Sequence, residues 1–251
     1  MNGVPVYNRN FGKWFANDVL RAIRRYGLIE QGEQVGVAVS GGKDSTALLY
    51  ILEYLRCFSP LRFSLTAVHV KTAGYDTGII AGLCKRMKVP YLETSLKRLP
   101  GERVKNHCYV CARLKRGALH DLLSARGIKK VALGHHATDV VETFFMNMLE
   151  HKKLGSFCPR VETGGSGLTL IRPLVYLDEE TIVRIHRRAG LPLLSYKCPY
   201  AETNLRSRYK ERLREVERVF GIKNLGRKIV ASLENVDASN SWQAVRKIAD
   251  R

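Results

Sequence analysis

The run Val35-Gly36-Val37-Ala38-Val39-Ser40-Gly41-Gly42-Lys43-Asp44-Ser45 decides the fold of this 251-residue chain. An apolar strand feeds a glycine pair, and a helical pattern follows with Ala47, Leu48, Ile51, Leu52 and Leu55 on one face. Glycine has no Cβ, so backbone N–H groups at such a turn can close on an anion. The next helix aims its positive dipole end at the same spot. Lys43 adds a full charge, and Ser40 and Ser45 add hydroxyl donors. The segment is a phosphate cradle.

Strands and helices alternate on both sides of it. Periodicity predicts strands at 35–39, 63–70, 90–94, 130–134 and 168–174, with helices at 44–56, 75–88, 109–126 and 138–150. A further helix starts at Asp178 as N-cap and stops at Gly190. This alternation predicts an α/β fold, a doubly wound parallel sheet covered on both faces. Ligands in such sheets sit beyond the carboxyl ends of the strands. Residues 1–30 predict an N-terminal helical segment, with Phe11, Trp14, Phe15, Val19, Leu20 and Ile23 on one side. Residues 31–195 form the nucleotide domain, and 196–251 a basic helical tail.

Composition is that of a globular chain, 45% hydrophobic and 26% charged. No apolar run reaches the roughly 18 residues of a membrane span, and no signal-peptide pattern opens the chain, so a cytoplasmic protein is expected. The net charge of +19 calls for a polyanionic partner. Arg184-Ile185-His186-Arg187-Arg188 and Arg206-Ser207-Arg208-Tyr209-Lys210 read singly as solvated helix faces; together they favour RNA.

Six cysteines stand at 57, 84, 108, 111, 158 and 198. With no secretory signal, metal or redox chemistry outranks a disulfide framework. Cys108-Tyr109-Val110-Cys111 opens a predicted helix, and Cys198 is followed by Pro199 as in many cluster-ligand loops. Cys57 and Cys84 read as core residues. Three thiolates underfill structural zinc unless His107 completes the set; they suffice for a [4Fe–4S] cluster with one open iron.

The loop Ser40-Gly41-Gly42-Lys43-Asp44-Ser45 is not a Walker A sequence, which requires G-x-x-x-x-G-K-[ST]. It resembles the pyrophosphate loop (PP-loop) of the ATP pyrophosphatases. Cys108 through Gly117, Leu133-Gly134-His135-His136-Ala137-Thr138-Asp139, and Cys198-Pro199-Tyr200 with Arg206 resemble, in order, the segments of that superfamily's tRNA 2-thiolation enzymes. Thr138 departs from that group's paired aspartates.

The resemblance implies ATP-dependent replacement of a pyrimidine C2 oxygen by sulfur in tRNA, as 2-thiocytidine or 2-thiouridine, through an adenylated base. It implies ATP at Ser40, Gly41, Gly42, Lys43, Asp44 and Ser45, with His69, Val70, Gly134 and His135 completing the nucleotide site. It implies a [4Fe–4S] cluster on Cys108, Cys111 and Cys198, a persulfide on Cys108 or Cys111 being the chemical alternative. Lys115, one turn beyond Cys111, becomes a candidate catalytic cation, with an exposed helix lysine as the plain reading. Asp44 either caps its helix or holds Mg²⁺; Asp139 either binds Mg²⁺, orients the base, or serves as a helix-start carboxylate. Expected partners are tRNA and a sulfur donor (sulfide, a cysteine desulfurase or a sulfur-carrier protein), with a homodimer allowed. The rival is another PP-loop ligase, lysidine-forming or amide-forming, with structural zinc.

Overall fold

The computed structural model describes residues 10–72, 77–96, 107–164, 167–194 and 205–236. Among them are six strands: β1 (Gln34–Ala38), β2 (Ser64–Lys71), β3 (Tyr91–Ser95), β4 (Lys130–Ala132), β5 (Arg160–Glu162) and β6 (Thr169–Ile171). The helices are α1 (Lys13–Tyr26), α2 (Lys43–Phe58), α3 (Gly78–Met87), α4 (His107–Ser124), α5 (Ala137–His151), α6 (Glu179–Arg188), α7 (Leu205–Val219) and α8 (Leu225–Glu234).

The sheet runs β3-β2-β1-β4-β6-β5. From β1 the chain builds outward to β2 and β3, then returns to place β4 on the other side of β1. That reversal opens a crevice beyond the carboxyl ends of β1 and β4, where ligands of such sheets bind. The phosphate-cradle loop leaves β1 there, and Gly134-His135-His136 leaves β4 there.

Strand alternation accounts for the two covered faces. Val35, Val37 and Val39 point into one core with α1, α2 and α6. Val68, Val131 and Leu170 point into a second core sealed by Leu119 and Leu123 of α4. The predicted elements are present with their ends shifted by a few residues either way, and Asp178 caps α6 through its carboxylate, which accepts from the Thr181 N–H at 2.7 Å.

The doubly wound, mostly parallel sheet carries one strand beyond those predicted: β5 joins antiparallel to β6, pairing Val161 with Leu170. So short a connection cannot cross over to make a parallel neighbour. Thr163 closes the hairpin, its N–H and Oγ1 both donating to the Leu168 carbonyl. The glycine-rich stretch Gly164-Gly165-Ser166-Gly167 between two apolar runs was the available signal.

Within the basic tail, residues 205–236 form α7 and α8, and they are not simply exposed. Leu213 of α7 and Leu225 of α8 bury against Val141 of α5. Tyr26 and Tyr176 both donate to Glu234 at the end of α8. No helix among the described residues is long and apolar enough to cross a membrane.

Candidate functional site

Two glycines let the crevice close to its working dimensions. Gly41 sits at φ +86°, and a Cβ there would lie 2.5 Å from Leu194 Cβ. The Leu194 N–H also donates to the Gly41 carbonyl at 2.9 Å. Gly134 brings the end of β4 against the start of α2; a Cβ would lie 3.0 Å from the Asp44 backbone. Ser45 Oγ locks the turn, accepting from the Ser40 N–H at 3.1 Å and donating to the Gly42 carbonyl at 2.9 Å. Gly42 occupies the N-cap of α2 and supplies no capping side chain. The first-turn amides and the helix dipole thus form an anion seat.

Lys43 stands between two carboxylates. Its Nζ donates to both oxygens of Asp44, at 2.9 and 3.1 Å, and lies 3.0 Å from Glu179 Oε1. Burial disfavours its charge, but the two acids win and raise its pKa. Burial likewise opposes ionisation of Asp44, yet a hydrogen bond from His136 and the charge of Lys43 hold its pKa down to about 2. Glu179 also meets Lys210 at 2.5 Å and Arg214 at 3.5 Å. Those hydrogen bonds, against the cost of burial, hold it at about 2. Its backbone N–H donates to Thr138 Oγ1 at 3.2 Å, tying the starts of α5 and α6 together.

His136 links the loop to α5. Its Nε2 lies 3.5 Å from both Asp44 Oδ1 and Asp139 Oδ2, and its backbone N–H donates to Asp139 Oδ2 at 2.9 Å. Burial works against its protonation, but the two carboxylates outweigh burial and raise its pKa. The neighbouring His135 goes the other way, pushed down to about 4 by burial and by Arg172 and Arg206 against the pull of Asp139. Its ring packs 5.1 Å from Phe157, on whose face Arg172 also lies. One element end therefore carries two imidazoles of opposite character.

Arg206 of α7 spans α5. It lies 3.9 Å from Asp139 and 3.5 Å from Glu142, and donates to Thr143 Oγ1 at 2.9 Å. Glu142 is 3% exposed. Burial and the charge of Asp139 push its carboxyl up to about 7, with Arg206 pulling back.

The crevice gathers Ser40–Ser45, Gly134, His135 and Asp139. His69 ends β2 and anchors the rim: its Nδ1–H donates to the Val39 carbonyl at 2.6 Å. Burial lowers its pKa, and the charge of Lys115 adds to that. Lys115 of α4 is thus near enough for His69 to feel its charge. Val70 packs beside the second core. Asp44 does not cap α2, since it sits inside the first turn; Asp139 does take the helix-start role.

Cys108 and Cys111 stand one turn apart at the start of α4, the first exposed and the second half-buried, both free thiols. Because α4 follows β3 and leads back to β4 in a parallel arrangement, its first turn lies at the carboxyl edge of the sheet. Cys198 lies outside the described residues. Among the described residues no group of three or more His, Cys, Asp or Glu side chains is arranged to hold a metal ion. Cys84 is buried as expected, whereas Cys57 is exposed, its thiol within 3.6 Å of Glu53 Oε1.

Glu142, Glu179 and Lys210 were not expected at the site. Glu142 lies three residues after Asp139, a spacing that places both on one helix face. Glu179 and Lys210 gave no sequence signal beyond their charge, because only tertiary packing brings them to Lys43.

The PP-loop domain family model matches residues 8–216. A tRNA-cytidine(32) 2-sulfurtransferase of Pelobacter propionicus is 36% identical over 94% of this chain and 88% of its own length. One of Geobacter sulfurreducens is 38% identical over 82% and 84%. The structure of the U34-tRNA thiolase NcsA from Methanococcus maripaludis with its [4Fe-4S] cluster superposes with a TM-score of 0.73, covering 93% of this chain and 83% of that one, at 22% identity. That last likeness shows a shared fold. The chain belongs to the PP-loop family, in its tRNA 2-thiolation branch.

Proposed function

We propose that this protein uses ATP to replace the C2 oxygen of a cytidine in tRNA by sulfur, with position 32 as the target. The observation that carries the reading is the placement of the anion seat and the two-thiol turn of α4 on one edge of the sheet. The cytidine target is supported by the relatives, both named tRNA-cytidine(32) 2-sulfurtransferase.

Oxide is a very poor leaving group, so the base must first be activated. The C2 oxygen attacks the α-phosphorus of ATP, forming one P–O bond as the bond to the β-phosphate oxygen breaks. Pyrophosphate leaves into the seat of Gly41, Gly42 and Lys43, whose donors stabilise the growing charge. A sulfur nucleophile then attacks C2, and AMP departs with the original oxygen. His136, whose charged form Asp44 and Asp139 favour, would offset negative charge there.

Two accessible thiols on one helix turn fit the ligand chemistry of an iron–sulfur cluster. Cys108 and Cys111 would hold it with Cys198, and the bound cluster would present the sulfur. Asp44 and Asp139, both within 3.5 Å of one imidazole nitrogen, are the carboxylates suited to Mg²⁺. Lys115, whose charge is felt by His69, would act on the nucleotide side of the same opening. The soluble nucleotide unit spans 31–195, with 196–251 completing the RNA side, and the sulfur donor is a separate protein or free sulfide.

The test is nucleoside mass spectrometry of tRNA incubated with the protein, ATP and sulfide under anaerobic conditions. A new 2-thiocytidine supports the reading; 2-thiouridine would move the target, and no sulfur nucleoside would overturn it. Cys108→Ala should abolish the product while leaving binding of a non-hydrolysable ATP analogue intact. Zinc without iron in the anaerobic protein would overturn the cluster.

A further inference from the structure

A cavity of about 520 Å³ opens between α5, α6, α7 and the turn at 222–226. Its volume falls in the range of small-molecule sites. Val141 and Leu213 give it apolar walls, Glu142 and Glu179 line it with carboxylates, and Lys210 and Arg214 add cations. It abuts the nucleotide loop. Glu179 in its wall lies 3.0 Å from Lys43, and Glu142 shares Arg206 with Asp139. A molecule seated here would therefore lie beside the phosphate seat.

Glu142 states what that molecule must offer. Its carboxylate is almost wholly buried, and its cation, Arg206, stands at 3.5 Å, longer than a direct hydrogen bond. Burial of a carboxylate so weakly compensated is costly, and a ligand N–H donor would relieve it. The raised pKa of this group is a sign of the same deficit. The apolar walls suit a flat ring. Arg214, two-thirds exposed, suits a flanking phosphate.

A pyrimidine nucleotide extruded from RNA meets each requirement, since enzymes that act on a base take it from the stack and read its edge in a pocket. We propose that this cavity receives the target pyrimidine and that Glu142 selects cytosine over uracil by accepting from its exocyclic amine. Uracil presents a carbonyl oxygen at that position, which the ionised carboxylate repels, whereas the cytosine amine stabilises that ionised form. The inference rests on the thiolation reading and adds the residue that sets its base choice.

The test uses the full-length, cluster-loaded protein with two anticodon stem-loop RNAs, carrying cytidine or uridine at the modified position. Wild type should favour cytidine by at least about tenfold in kcat/KM. Glu142→Gln, whose amide can accept or donate, should narrow that ratio about tenfold while the affinity for a non-hydrolysable ATP analogue stays unchanged. A merely structural role would lower both substrates together and leave the ratio alone. Leu213→Trp, which fills the cavity, should cut turnover on both RNAs about a hundredfold with RNA affinity retained. An unmoved ratio in Glu142→Gln, or full turnover in a folded Leu213→Trp, overturns the pocket. A wild type that thiolates neither RNA overturns the functional reading itself, and the pocket with it.

Discussion

At the scale of single residues, the site works by setting like groups to opposite ends of their range. Asp44 and Glu179 are held at about 2, whereas Glu142 stands near 7. The difference is the supply of close cations: among the described residues Glu179 has three within 3.5 Å, whereas Glu142 has Arg206 at 3.5 Å and feels Lys210 only from farther away. Removing the central cation should be severe. Lys43→Ala is expected to lower kcat/KM for thiolation by about 10²–10³, the usual cost of one charge-stabilising donor, as measured by 2-thiocytidine formation.

Acid stability follows from the same shifts. His135 titrates at about 4 when folded against an ordinary 6.5, so the unfolded chain binds more protons and stability falls as pH drops through that window. Glu179, at about 2 against 4.5, adds stability that is present above 4.5 and lost between 4.5 and 2. Melting curves from pH 7 to 4 should show the first loss in wild type and a flatter profile in His135→Gln. The loop residues were legible in sequence because their chemistry is local. Glu179 was not, since the 135 residues between it and Lys43 carry no hint of their meeting.

At the scale of elements, close approach is what positions the chemistry. Gly134 lets β4 reach the start of α2, and Gly134→Ala would force a Cβ to 3.0 Å from the Asp44 backbone. Displacement of the loop by a few tenths of an ångström should weaken binding of an ATP analogue about tenfold, readable by calorimetry. On the opposite sheet face, Leu123 of α4 is fully buried against β4 and β6. Leu123→Ala should cost about 2–5 kcal/mol in a denaturant titration. Strands β1 to β4 and β6 were legible from apolar runs between turn signals. β5 was not, because three residues with one apolar side chain carry no period to read.

At the scale of the whole molecule, the +19 charge is distributed with purpose. Arg206 and Lys210, which read in sequence as solvated cations, turn inward to Asp139, Glu142 and Glu179. Arg187, Arg188, Arg208 and Arg212 remain exposed. If six or more of the exposed cations meet RNA phosphates, tRNA affinity should fall roughly 10³-fold between 50 and 200 mM salt, whereas nucleotide binding should change far less. Filter binding across a salt series measures both. Fold class was legible from alternation; which cations face inward was a matter of packing.

The hydroxyl of Thr138 stitches two helix starts with no charge of its own. An acid there, as in sequences with paired aspartates, would add a negative neighbour to Glu179 and to any incoming triphosphate. Thr138 keeps that position neutral, one negative charge fewer beside Glu179 than an acid would give. Thr138→Asp should make nucleotide affinity more steeply dependent on magnesium than in the native chain, readable by calorimetry with and without the ion.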